Sequence, residues 1–79
     1  MKSTTQYYLY INTMTSPPGV KEWPYGKRWI YRFKSNSPHK YRLSIYHRDL
    51  RQWIDLGDTN CIPPDFQLLD LNELFLELL

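Results

Sequence analysis

Alternation of apolar and polar residues predicts two strands in the middle of the chain. The pattern covers residues 27–34 and 40–48, and the intervening residues 35–39 are of types that favour turns. We therefore expect a hairpin with a five-residue loop. Its apolar side carries Trp29, Tyr31, Phe33, Tyr41, Leu43 and Ile45.

An aromatic and β-branched segment near the start of the chain predicts a further strand over residues 6–13. Tyr7, Leu9 and Ile11 would share one face of this strand. Residues 14–26 contain three prolines and two glycines, which exclude regular structure and predict a long loop.

Residues 50–56 admit two interpretations. Asp49-Leu50-Arg51-Gln52 has the form of a helix N-cap box, and Gly57 would end that helix. A strand over residues 52–56 is favoured, because so short a helix is marginal and Gln52, Ile54 and Leu56 continue the alternation.

The end of the chain predicts a helix after a linker over residues 57–64. Asp70-Leu71-Asn72-Glu73 matches a capping box, so the helix runs to residue 79 from residue 70, or from residue 66 if the preceding prolines set the start. Asp70, Glu73 and Glu77 form a narrow acidic stripe. Leu71, Leu74, Phe75 and Leu78 are expected to cover the sheet, while Leu69, Leu76 and Leu79 stay partly exposed as a candidate interface for a partner or a homodimer.

These elements predict an α+β fold in one domain over residues 1–79. An antiparallel meander of three to four strands would carry the C-terminal helix on its apolar face. The basic hairpin face and the acidic helix would then point away from opposite sides of the molecule.

Composition narrows the functional classes. With 79 residues, 42% apolar, the chain suits one folded domain, and neither a membrane span nor a secretory signal occurs in it. One cysteine and two histidines allow neither an internal disulfide nor a closed four-ligand metal site. We therefore expect a cytoplasmic protein that uses no metal or other cofactor and does not bind membranes.

The net charge of +2 conceals an uneven layout. Residues 1–51 hold all ten basic residues and carry +8, whereas residues 52–79 hold six acidic residues and carry −6. Such asymmetry indicates a charged partner or charge-complementary assembly.

The strongest candidate site is the charged face of the hairpin. Like charges on neighbouring strands repel each other, and no acidic residue alternates with them in this pattern, so an anionic partner is expected. The candidate residues are Arg28, Ile30, Arg32, Lys34, Lys40, Arg42, Tyr46 and Arg48. Trp23 and Tyr25 in the long loop are further candidate contacts.

No catalytic constellation accompanies this face. His47-Arg48-Asp49-Leu50 matches a fragment of the kinase catalytic loop, but the other kinase motifs are missing. Cys61 is interpreted as a small buried side chain rather than a nucleophile paired with His39 or His47. The sequence therefore favours a protein that is not an enzyme.

Three hypotheses for function remain. The first is a small adaptor, regulator or inhibitor that occupies a surface of a larger protein or nucleoprotein, a size class typical of phage and mobile-element products. The second is a single-stranded DNA or RNA binder that uses the basic hairpin face. The third is a self-assembling structural subunit.

Overall fold

The computed structural model describes residues 4–12, 14, 16–20, 28–37 and 40–79. The elements in these residues are β1 (Thr4–Tyr10), β2 (Trp29–Ser37), β3 (Lys40–His47), β4 (Gln52–Thr59), β5 (Phe66–Leu69) and α1 (Leu71–Leu78). The α+β class is confirmed, but the sheet has five strands rather than three to four. The additional strand is β5, whose four residues are too few to show a periodic pattern in the sequence.

The sheet has the strand order β4-β3-β2-β1-β5, and all neighbouring strands are antiparallel. The chain must therefore cross from one edge of the sheet to the other between β4 and β5. Four strand spacings of about 4.8 Å separate the edges, and an extended residue advances at most about 3.6 Å, so residues 60–65 cross in a nearly direct path. At the far side, the Ile11 N–H donates a 2.9 Å hydrogen bond to the Asp65 carbonyl.

One face of the sheet, which we call the aromatic face, holds the larger core. Its buried residues are Tyr8, Tyr31, Phe33, Ile45 and Phe66. Tyr31 and Phe33 are almost completely inaccessible, as predicted, and both meet Phe66 edge to face. Ile62 from the crossing segment packs on this cluster.

A loop segment, residues 16–20, also covers the aromatic face. The Tyr31 hydroxyl donates to the Pro18 carbonyl, and burial raises the pKa of this phenol. Gly19 has a φ of 80°, and a Cβ atom there would lie 2.8 Å from the Leu56 side chain. A larger residue at position 19 would therefore be strained, and the Leu56 side chain would have to shift.

The helix packs on the opposite face of the sheet, so its predicted placement on the aromatic side is wrong. Leu74 is buried against Leu9, Ile30 and Leu69 in a second core cluster. The loop and the crossing segment already fill the aromatic face, so the chain leaves β5 and turns onto the other one. We call this second side of the sheet the mixed face.

This placement changes which helix residues are exposed. The predicted capping box between Asp70 and Glu73 is present. Leu69 is buried, contrary to the expectation that it would be partly exposed, whereas Leu71 and Phe75 face solvent instead of the sheet.

Several local expectations can also be compared with the structure. Residues 52–59 form a strand, not the alternative helix, and β1 begins and ends earlier than expected, which leaves Ile11 half exposed. Cys61 is exposed rather than buried. Trp23, Tyr25 and His39 lie outside the described residues.

Candidate binding surface

Strand pairing brings most of the predicted site residues onto the mixed face. Arg32 lies between Tyr7 of β1 and Ser44 of β3, and Lys34 pairs with Arg42. Because alternate residues of a strand share a face, Arg28 and Ile30 belong to the same side as Arg32. The cations of this face nevertheless fall into two groups with different surroundings.

The first group lies at the end of the mixed face that α1 covers, which we call the covered end. Ile30 is only 1% exposed, so it belongs to the core and is not a contact residue. Arg28 binds both carboxylate oxygens of Glu77, with its Nε atom at 2.7 and 3.0 Å. The expectation that the acidic helix and the basic face lie on opposite sides of the molecule is therefore wrong.

Arg48 joins three elements at the covered end. Its Nη1 atom donates a 2.7 Å hydrogen bond to the Glu77 carbonyl near the end of α1. Its Nε and Nη2 atoms donate to the Arg28 carbonyl at 3.2 and 3.1 Å. A cation at the C-terminal end of a helix binds free carbonyls and opposes the negative end of the helix dipole, so Arg48 has a structural role here.

A β-bulge in β4 explains the neutralisation of another predicted contact residue, Arg42. Leu43 pairs with Gly57 but Ser44 pairs with Asp55, so Leu56 is an extra residue. The bulge shifts the alternation by one position, and both Asp55 and Asp58 project on the side of Arg42. Gly57, with a φ of 97°, supplies the backbone conformation that this bulge uses.

Arg42 forms ion pairs with both of these carboxylates. Its Nε atom lies 2.9 Å from Asp55 Oδ1, its Nη2 atom binds Asp55 Oδ2, and its Nη1 atom lies 3.3 Å from Asp58 Oδ1. Hydrogen bonding to Arg42, and then to the Gly57 N–H, lowers the pKa of Asp55. The expectation that no acidic residue shares this face is therefore wrong.

The second group of cations, Arg32, Lys34 and Lys40, includes one that contacts Trp53. The Arg32 guanidinium carbon lies 4.8 Å from the centre of the Trp53 ring, a cation–π geometry. Tyr46 and Tyr7 lie next to the same indole, with ring centres at 5.2 and 5.7 Å. We call Tyr7, Arg32, Lys34, Tyr46 and Trp53 the Trp53 surface.

The charges of the Trp53 surface are less neutralised than those of the covered end. Among the described residues, no carboxylate oxygen lies within 4.0 Å of a side-chain nitrogen of Arg32, Lys34 or Lys40. Lys34 and Lys40 are exposed, while Arg32 and the three aromatic side chains are half-buried. The surface thus combines fixed aromatic rings with available positive charge.

Two members of this surface were not singled out from the sequence. Tyr7 was assigned to the same strand face as Leu9, which is correct, but that face could not be matched to Arg32 without the β1–β2 register. Trp53 lay in the segment of uncertain structure. The signal that could have identified Trp53 is its alternation with Ile54. If residues 52–56 form a strand, Trp53 lies opposite Tyr46 and on the same face.

No three His, Cys, Asp or Glu side chains among the described residues are grouped in a way that would hold a metal ion. The Nδ1 atom of His47 accepts a 3.1 Å hydrogen bond from the Leu50 N–H, so it stabilises the β3–β4 turn. No described helix has the length and apolar character needed to cross a membrane.

Comparisons with protein-family models, curated proteins and solved structures give no match to this chain.

Proposed function

We propose that this protein is a small non-enzymatic binding module that occupies a surface of a larger protein or nucleoprotein through the Trp53 surface. The observation that carries the proposal is the cluster around Trp53. Arg32 lies over this indole, and Tyr7 and Tyr46 both contact it. Trp, Tyr and Arg are the residue types that dominate binding energy at protein interfaces.

The backbone beneath this surface supports the same proposal. All of its members lie on paired strands rather than on loops, and Trp53 packs against the second core cluster. Side chains held in this way lose little conformational entropy on binding, which favours affinity.

The charge layout favours a protein partner over a nucleic acid. Three of the predicted contact cations, Arg28, Arg42 and Arg48, already bind carboxylates, and Asp55 and Asp58 border the surface. A polyanion would gain little from paired cations and would be repelled by the two aspartates.

A single-stranded nucleic acid is the second candidate, and one observation favours it. Arg32, Lys34 and Lys40 have no ion pair among the described residues, and Arg32 contacts Trp53, an aromatic ring of the kind on which bases stack. This candidate predicts binding to oligo-dT whose logarithmic affinity falls with the logarithm of salt concentration, with a slope of about −0.7 per phosphate contacted.

The exposed free thiol of Cys61 is compatible with a reducing compartment, so the proposal places the module in the cytoplasm.

The test compares wild-type protein with Trp53→Ala and Arg32→Glu as baits in lysate of the native host, with and without nuclease. Ile54→Ala is the matched control, because Ile54 is the next residue of β4 and points to the other face. We expect the two surface variants to lose a nuclease-resistant protein that Ile54→Ala retains. Equal recovery by Trp53→Ala and wild type would show that this surface is not the binding site, and a nuclease-sensitive complex would favour the second candidate.

A further inference from the structure

The outer side of α1 carries an apolar patch that nothing in the described chain covers. Leu71, Phe75, Leu76 and Leu79 are 64%, 62%, 71% and 95% exposed, while Leu74 and Leu78 face the sheet. A surface helix normally places polar residues on its outer side. A contiguous group of large exposed apolar side chains marks an interface.

The charges that border this patch differ between its two ends. Asp70 and Glu73 lie exposed at the start of α1. At the other end, Leu78 and Leu79 line a depression together with Tyr46, Arg48 and Arg51, the last from the β3–β4 turn. Arg51 is exposed, and no carboxylate lies within ion-pair distance of it in the part of the chain that the structure describes.

The backbone holds Arg51 in an unusual conformation. Its φ of 54° lies in the left-handed region, where glycine has no steric cost and a residue with a Cβ atom is strained. The turn therefore carries an arginine, beside the end of α1, at a position where glycine would be less strained.

We propose that a second copy of this chain covers the patch, with the two α1 helices packed antiparallel about a two-fold axis. A two-fold interface requires a surface that is complementary to itself, and this one has acidic residues at one end and an arginine at the other. An axis between Phe75 and Leu76 brings Glu73 of one copy level with residue 78 of the other, and Arg51 lines a depression with Leu78 and Leu79 at that end of the helix. A partner with a single sign of charge would leave one end unmatched.

The size of the patch sets the expected strength of the dimer. An eight-residue helix is about 12 Å long, so the contact is smaller than the roughly 800 Å² per partner of a standard stable interface. The dimer is therefore weak and forms with increasing concentration. Tyr46 of the Trp53 surface lines the same depression as Arg51, so the experiments below leave Tyr46, Arg32 and Trp53 unchanged.

The first experiment measures the mass of the full chain by sedimentation equilibrium from low micromolar to millimolar concentration. Wild type should pass from monomer to dimer, and Leu76→Glu should weaken the dimer at least about tenfold, because burial of one leucine contributes more than a factor of ten in affinity. Met14→Glu is the matched control, since Met14 is 84% exposed on the N-terminal loop. A wild type that stays monomeric, or a Leu76→Glu dimer of unchanged strength, would overturn the proposal.

The second experiment tests the antiparallel arrangement. Arg51→Glu and Glu73→Lys should each weaken self-association, because each places like charges in contact twice. An equimolar mixture of the two variants should associate as wild type does, since both contacts are then between opposite charges. Lack of recovery in the mixture would contradict the antiparallel arrangement.

A further variant separates charge from helix capping. The Glu73 carboxylate accepts a hydrogen bond from the Asp70 N–H, and Glu73→Gln keeps an acceptor there while it removes the charge. We expect Glu73→Gln to weaken the dimer with an unchanged unfolding midpoint. Full-strength association of Glu73→Gln would show that this charge does not contribute.

Discussion

The two ends of the mixed face are built from the same kind of strand pattern but serve different purposes. At the covered end, Arg28 and Arg48 bind Glu77 and carbonyl oxygens, and Ile30 lies beneath Leu74. Two residues further along β2, Arg32 lies against Trp53 with no carboxylate partner among the described residues. Contacts with α1 thus give Arg28 and Arg48 a structural role that Arg32 lacks. Arg42, by contrast, is paired by carboxylates of β4.

The largest expected difference in the free energy of unfolding is between two positions on the same face of β2, Ile30 and Arg32. Ile30→Ala should lower the free energy of unfolding by about 2–5 kcal/mol, because it opens a cavity beneath the helix. Arg32→Ala should lower it by less than about 1 kcal/mol, since its ring contact is partly exposed to solvent. Urea unfolding followed by circular dichroism measures both values. Similar losses at the two positions would show that the two ends do not differ in their structural role.

A smaller contrast concerns the carboxylates at the two ends. Glu77→Gln should cost about 1 kcal/mol, because the Glu77 side chain is only 18% exposed and binds two arginines. Asp55→Asn should leave the unfolding midpoint unchanged, since exposed ion pairs contribute little. Thermal unfolding at low and high salt provides the comparison. A greater loss from Asp55→Asn than from Glu77→Gln would contradict the assignment of the structural pair to the covered end.

The smallest expected effect is a shift in the pKa of one carboxyl group, that of Asp55. Because Arg42 lowers the pKa of Asp55, this carboxylate should stay charged until the pH falls below its ordinary pKa of 3.8. The pair's contribution to stability is therefore complete above that pH and is lost only as the pH falls through the lower folded-state value. An NMR titration of the Asp55 carboxyl carbon should give a midpoint below 3.8, and Arg42→Ala should raise it. An unchanged midpoint in Arg42→Ala would show that the pair does not form in solution.

The capping residues predicted the start of α1. Period-two alternation predicted the β2–β3 hairpin, but residues 35–37 continue β2, so the predicted five-residue loop is wrong. Alternation could not predict β5, because a four-residue strand is defined by its partner β1 rather than by its own pattern. The sequence pattern also could not predict which face of the sheet α1 covers. That choice depends on the loop and the crossing segment, which fill the aromatic face by long-range contacts.

The candidate site was only partly predictable for a related reason. The β4 bulge reverses the facing of every residue beyond Leu56, so strict alternation puts Asp55 and Asp58 on opposite faces when both lie beside Arg42. Arg32 and Tyr46 share a face with Trp53 because no irregularity separates them in the β2–β3–β4 pairing, whereas the bulge lies between Trp53 and the row that holds Lys34.

The position of β5 in the sheet has a consequence for how the molecule folds. Strands β1 to β4 form successive pairs between chain neighbours, whereas β5 pairs with β1 from nearly the other end of the chain. Closing so large a loop is entropically costly, so β5 should join after the meander has formed. Because α1 follows β5 directly, the two should also detach together in partial unfolding. Such an opening would uncover Leu9 and Ile30 and remove Leu69 and Leu74 from the cluster on which Trp53 packs, although Trp53 and Arg32 would keep their strand pairing.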